Sequence, residues 1–289
     1  MTIRRLMMAT LAITFVVATF TSSQAEEKKT KLKGLLITGG CCHDYPNQIK
    51  IITQGMSQRV SIDWDVELAE TDRATKVPVY KNHDWIKPYD VVVHNECYGG
   101  VTDVDFVESI VKAHTETGVA ALFIHCSMHS YRNAKTDEWR KLVGVTSMSH
   151  ESHRAVDVIN LKMDNPIMSG FPAHWETPNG ELYKIEKAWP NMTPLAKTYG
   201  VDTKKDHTVI WTNSYGKSKV FGTTLGHHNE TMNSSQWLDV VARGLLWTVD
   251  GLAKNGSAKK GFAGTGVEPI SLETDNPDAK KKPTPAKKK

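Results

Sequence analysis

The chain of 289 residues carries a formal net charge of +4, with 12 histidines and 4 cysteines. Much of the surplus charge sits at Arg4 and Arg5 and in two closing runs, Lys280, Lys281, Lys282 and Lys287, Lys288, Lys289. These lie outside any foldable block, so the charge argues against a nucleic-acid-binding surface.

Arg4 and Arg5 precede an apolar stretch at 6–20, and Ser23 and Ala25 supply small residues for a signal peptidase. Residues 1–25 therefore read as a signal peptide. The apolar stretch is short for a bilayer-spanning helix, which needs ~20 residues; an uncleaved anchor is the alternative. No Cys follows it, which argues against a lipoprotein. The mature chain is expected to start near Glu26 and to be exported, periplasmic or extracellular. Residues 26–31 form a short linker. Residues 32–252 are long enough for one sizeable core and contain no repeat or Gly/Pro-rich break.

Within that block, apolar runs of strand length alternate with helix-like stretches. Residues 34–38 form a strand that ends in Gly39 and Gly40, and 48–60 fit a helix with Ile49, Ile52, Met56 and Val60 near helical spacing. Strands follow at 64–68, 89–94 and 119–124. Between the last two, 103–114 is a helix with Val104, Val107, Ile110 and Val111 on one face and acidic residues early. Residues 155–161, 208–211 and 219–225 read as further strands, and 237–247 as a closing amphipathic helix. Continuous Val/Ile/Leu strands alternating with helices predict an α/β fold, a doubly wound, mostly parallel sheet with helices on both faces, in a single domain. From Ala253 the chain is Gly, Ser, Ala, Pro and Lys. Residues 253–289 are expected to be a disordered, Lys-rich tail, solvated or touching anionic membrane or cell-surface groups.

Doubly wound sheets bind ligands beyond the carboxyl ends of their strands. Cys41, Cys42 and His43 follow the first strand, and Asn95, Glu96, Cys97 and Tyr98 the third. His125, Cys126 and His129 follow the fourth, and His227, His228, Asn229 and Glu230 a later one. One rim thus collects His, Cys and Glu from four strands. Single histidines are more often hydrogen-bonded strand-end residues, which is the bland reading for His94 and His150, and more so for His83, His114 and His207. For His43, His125, His129 and His228 the shared rim points to metal ligation, with a divalent ion such as zinc, or to proton transfer. No HExxH-type signature is present.

In an exported protein the cysteines tend to pair. Neighbouring first and third strands would bring Cys41 or Cys42 to Cys97, leaving Cys126 a thiol. With His228 and Glu230, Cys126 also mimics a Cys-His-Glu thiol hydrolase. Its neighbours two positions away, Ile124 and Met128, are too large for a strained nucleophile turn.

The chain resembles the ThuA-like (trehalose utilisation) family over most of 32–252. The matching pieces are Gly39, Gly40 and His43; Asp84 and Trp85 before the 89–92 run; Ala121 to His125; Trp139 through Gly144; and Asn165, Pro166, Ile167 with Gly170, Phe171, Pro172. Glu181, Leu182, Tyr183, then 192–195, 215–217 and 220–227 continue the series. The resemblance implies a class I glutamine amidotransferase-like (flavodoxin-like) fold without the usual catalytic Cys turn, and Cys126 departs from the family's pattern of His at that strand end. It also implies a role in disaccharide or keto-sugar metabolism, with a small carbohydrate as ligand and metal binding in some members. Carried over, His125 and His227 are rim histidines and Glu181 the acidic residue before Leu-Tyr. The catalytic candidates are then His125, His227, His228 and Glu181, with Glu181 as acid or base. Asn95, Glu96, Tyr98, Trp175 and Tyr183 are candidate substrate contacts, and Trp85 a further stacking candidate. A non-catalytic sugar-binding or scaffold module is the rival reading.

Overall fold

The computed structural model describes residues 31–273. The assigned signal peptide, most of the linker and both lysine runs lie outside the described residues. In chain order the elements are β1 (Leu32–Gly40), α1 (Tyr45–Ser57), β2 (Ile62–Ala69), β3 (Val91–Cys97), α2 (Val104–Thr117), β4 (Ala120–Ile124) and α3 (Glu138–Val143). Then come β5 (Val145–His150), β6 (Asp157–Asn160), β7 (His174–Glu176), β8 (Tyr183–Ala188), β9 (Thr193–Gly200), β10 (Lys205–Tyr215), β11 (Ser218–Thr223), α4 (Asn229–Met232) and α5 (Ser235–Thr248).

One large sheet runs β2-β1-β3-β4-β11-β10-β9-β6-β7. From β2 to β11 every pairing is parallel. β3 and β4 are buried along their whole length, which is why they read as unbroken apolar runs. Successive side chains alternate between faces. Leu36, Val93, Leu122 and Phe221 pack on one face with Ile51, Ile52 and Met56 of α1 and Leu238, Val241 and Leu245 of α5. Leu35, Ile37, Val92 and Phe123 pack on the other with Val107, Ile110 and Val111 of α2 and Trp139 and Leu142 of α3. Each fully buried aliphatic side chain contributes about 1.5–3 kcal/mol.

Local signals set the helix ends. Asp44 caps α1, its carboxylate accepting from Asn47 N, and Asp103 caps α2 through Phe106 N. α2 stops at Gly118, whose φ of 81° supplies the left-handed cap.

The expected α/β fold with a doubly wound parallel core is the one observed; two features go beyond the sequence reading. Beyond β11 the sheet turns antiparallel through β10, β9, β6 and β7. A separate antiparallel pair, β5 with β8, sets His150 opposite Tyr183. The second feature corrects the expected tail. Residues 253–273 lie back on the block: Phe262 O accepts from Ser61 N at 2.9 Å, and Phe262, Ile270 and Leu272 pack against the α1/α5 core. Glu273 N donates to Asn47 Oδ1 at 2.8 Å. A few apolar side chains in a polar segment suffice to seat it, which composition alone concealed.

Candidate functional site

The parallel order β1-β3-β4-β11 brings the carboxyl ends of four strands to one rim. His43 arrives after β1, His125 directly after β4, and His227 and His228 after β11. His125 adopts φ 44°, a left-handed turn that strains a non-glycine residue. The sharp post-strand position is therefore His125 rather than Cys126.

The β5/β8 pair covers this rim. It carries Glu181 just before β8, and the loop after β5 is held by Glu151 N donating to Leu182 O and Arg154 N to Gly180 O. Glu181 Oε2 lies 3.2 Å from His125 Nε2 and 3.4 Å from His227 Nδ1. Its Oε1 lies 3.1 Å from His150 Nδ1 and 2.9 Å from His153 Nε2. One buried carboxylate thus meets four imidazoles. Burial pushes the Glu181 carboxyl up, but hydrogen bonds to His125 and His227 and their charge outweigh it and hold it well below the usual carboxylate range.

His125 is fixed from behind, with Nδ1 2.6 Å from Thr224 O, and its Nε2 lies 3.3 Å from the Tyr183 hydroxyl and 3.2 Å from His227 Nδ1. Nδ1–H donates to that carbonyl, which fixes the ring with Nε2 turned toward Glu181 Oε2 and His227. His43 is the anomaly. Both its ring nitrogens are shut off from solvent and have no hydrogen-bond partner, while its ring sits 5.0 Å from that of His125 and 4.9 Å from that of His227. Burial, then the charges of His125 and His227, push its pKa well down, opposed by the Glu181 carboxylate and by a backbone approach of His227 that falls short of hydrogen-bond geometry. One nitrogen from each of His43, His125 and His227 can be chosen so that all lie within 4.8 Å of one another; the same holds for His153, His227 and His228. The pocket in front holds about 170 Å³. Its lining includes His43, His129, His150, His227, Glu181 and Tyr183 together with Arg73, Arg132, Asn133, Gly99, Gly100 and the four cysteines.

Of the expected residues, His43, His125, His227, Glu181 and Tyr183 converge. His228 sits beside His227, ring centroids 4.5 Å apart, with its Nδ1 buried and unpartnered. His129 joins neither imidazole group; it stacks on Tyr183 at 3.9 Å and its Nε2 lies 3.0 Å from Ser147 Oγ.

Several expectations are corrected. Asn95 is turned inward, donating to Thr38 Oγ1 and Gln48 Oε1. Glu96 is wholly buried, accepting from Tyr80. Tyr98 donates to Glu70 O. None of the three lines the pocket, because a strand buried on both faces sends its last side chains into the two cores. Trp175 lies on β7 at the far sheet edge against Phe171, and Trp85 packs on Tyr80 and His114 in the core. The cysteines pair as Cys41–Cys42 and Cys97–Cys126, with none free among the described residues. Cys126 is thus neither a thiol nor a nucleophile here, although Cys41 Sγ does lie 3.7 Å from Cys97 Sγ. Sequence reasoning missed His153, Arg73 and Arg132. The His150-x-x-His153 spacing was the available signal for the first; the arginines sit in loops and carried none.

The sequence profile of the ThuA family, described as trehalose utilisation, matches residues 35–248. No curated protein sequence matches significantly. Among solved structures, a ThuA-like protein from Parabacteroides merdae superposes with a TM-score of 0.63 at 17% identity, covering 81% of this chain and 97% of its own. Another, from Bacteroides uniformis, gives 0.58 at 14%, covering 80% and 96%. At such identities the superpositions establish the fold, and the profile establishes the family. The chain belongs to the ThuA trehalose-utilisation family of carbohydrate metabolism.

Proposed function

We propose that the protein is an exported carbohydrate-active enzyme that acts on a glycoside or oxidised sugar in the pocket in front of His43, His125 and His227. The carrying observation is His43, whose two buried nitrogens lack partners while facing two further imidazoles. A buried polar atom without a partner costs roughly 1–3 kcal/mol, and a divalent cation such as zinc would remove that cost. The three imidazoles suit such an ion, with the pocket side open to substrate. When bound, the ion would supply Lewis-acid polarisation and an activated water near neutral pH.

The protein's own groups do the rest. Glu181 orients His125 and His227 through Oε2 and His150 and His153 through Oε1. His150, which lines the pocket and meets that carboxylate through Nδ1, is placed to pass protons to and from a sugar hydroxyl or leaving group. Tyr183, buried and stacked on His129, sets its hydroxyl 3.3 Å from His125 Nε2 and so helps hold that ring in place. Export is supported by the signal-like segment at 1–25 and by the pairing of all four cysteines, which suits an oxidising compartment.

The test couples elemental analysis of the purified protein, before and after chelation, to turnover of disaccharides and their keto derivatives. The proposal expects about one divalent ion per chain and chelator-sensitive turnover by analogy with three-histidine catalytic sites. It also expects His125→Asn, which tolerates the left-handed turn, to abolish turnover while the protein stays folded. Sugar binding without turnover across the panel would instead favour a binding module. Turnover that survives His125→Asn would overturn the site assignment.

A further inference from the structure

The four cysteines line the same pocket as the histidines, yet the reading above leaves them unused. Cys42 is exposed, Cys41 half-exposed, and Cys97 and Cys126 buried. Gly40, at φ 95°, brings the end of β1 so close to Cys97 that a Cβ there would strike the Cys97 carbonyl. That approach places Cys41 Sγ 3.7 Å from Cys97 Sγ, one disulfide against the other. Arg73 Nη2 lies 3.7 Å from Cys42 Sγ, a setting that favours thiolate at the exposed end. On the inner side, the sulfurs of Cys97 and Cys126 and a nitrogen of His43 lie within 4.8 Å of one another. His43 again is the group with no partner.

We propose that reduction of Cys97–Cys126 creates a second metal site, with two thiolates and His43 as ligands for a thiophilic cation, and that Cys41–Cys42 is its electron gateway. A dithiol reductant attacks Cys42 Sγ, breaking Cys41–Cys42 and forming a mixed disulfide. The reductant's second thiol closes that into its own disulfide and frees Cys42. The Cys41 thiolate attacks Cys97 Sγ, forming Cys41–Cys97 and expelling Cys126 as thiolate. Cys42 then attacks Cys41, restoring Cys41–Cys42 and releasing Cys97. In sum, one dithiol loses two electrons and two protons; Cys97–Cys126 takes up both electrons. The protons leave as the thiolates take the ion. Two sulfurs and one imidazole select zinc, cadmium or copper(I) over oxygen-seeking cations. Because His43 belongs to both groups, loading the thiolate site withdraws it from His125 and His227, so the pocket's redox state sets which site is filled.

The experiment uses the full chain, oxidised or treated with dithiothreitol and freed of it anaerobically, and titrates each with cadmium(II). The reduced protein should gain a near-ultraviolet thiolate-to-cadmium charge-transfer band at one ion per chain, absent from the oxidised protein. Cys126→Ser should lose the band and His43→Ala should weaken binding at least ~10-fold, whereas His125→Asn should keep it. The Cys41→Ser/Cys42→Ser double variant should still form the site, with Cys97–Cys126 reduced at least ~10-fold more slowly by the same dithiol. No band in the reduced wild type would overturn the proposal without relying on any variant; so would a band that survives Cys126→Ser or is lost in His125→Asn. Failure of the three-histidine reading shows separately, as no divalent ion in the oxidised protein.

Discussion

The molecule holds two histidine clusters that differ in one respect. Inside the α2/α3 core, His94 Nδ1 lies 2.9 Å from Glu96 Oε1 and His94 Nε2 lies 3.1 Å from His114 Nε2. His114 Nδ1 lies 3.0 Å from Val119 O, and Phe123 stacks on the His94 ring at 4.8 Å. Every ring nitrogen there has a protein partner, and none of these residues lines the pocket. At the rim, His43 has no partner on either nitrogen and His228 none on Nδ1. Histidine content alone does not separate structure from function; the unspent nitrogens do. Glu96 Oε2 is left unpartnered in the enclosed cluster too, so the contrast lies in the imidazoles: the core's ring nitrogens are all engaged, whereas the rim leaves some for a visitor.

The largest expected effect lies in the enclosed cluster. His94→Ala opens a cavity against Phe123 and strips Glu96 and His114 of a buried hydrogen-bond partner, and should cost about 3–5 kcal/mol, read as the free energy of chemical denaturation. Its effect on turnover per folded molecule should be negligible. A loss below about 1 kcal/mol would mean that the enclosed cluster's hydrogen bonds and packing contribute little.

At the rim the effects should reverse. Glu181→Gln keeps the shape but removes the charge shared by four imidazoles, and turnover should fall about 100-fold, at the low end for acid–base machinery. Melting should change far less than in His94→Ala. If turnover held while stability collapsed, Glu181 would belong with the structural cluster.

Acid titration sharpens the contrast further. Burial, then the charge of His94, lower the His114 pKa to about 3. Unfolded, the ring returns to about 6.5. Its contribution to stability is therefore complete above about pH 6.5 and is lost as the pH falls toward 3, because the unfolded chain binds the proton first. The slope attributable to this ring reaches about 1.4 kcal/mol per pH unit. His114→Gln should flatten the stability–pH curve over that window; an unchanged curve would show the ring to be solvated.

How far sequence reached follows the same division. The runs at 34–38, 89–94, 119–124 and 219–225 became β1, β3, β4 and β11, since strands buried on both faces must be apolar throughout. Their shared rim delivered His43, His125 and His227. What stayed hidden depends on partners distant in the chain. β5 and β8 are short, half-exposed and irregular in register, so they carried no period to read, and His150 and His153 stayed unassigned to the pocket with them. Asn95 and Glu96 sat at the right strand end but alternate into the two cores. The cysteine neighbourhood was legible, because β1 and β3 are adjacent. The pairing was not: β4, on the other side of β3, offers Cys97 a second partner in Cys126.

His43→Ala is the smallest expected effect and tests the comparison most directly. Its ring packs against His125, His227 and Tyr45, so deletion loses contacts. It also removes two desolvated nitrogens that nothing satisfies, each of which costs the metal-free protein roughly 1–3 kcal/mol. These terms oppose, and chelated protein should move by no more than about 1 kcal/mol in either direction. Metal-loaded wild type should sit above the chelated form by about 2.7 kcal/mol when free ion stands at 100 times its dissociation constant, and the variant should show no such gap. Denaturation curves with and without chelator read all four values. A chelated variant that falls as far as His94→Ala would place His43 among the structural histidines, and the distinction drawn from unpartnered nitrogens would fail at the residue on which it rests.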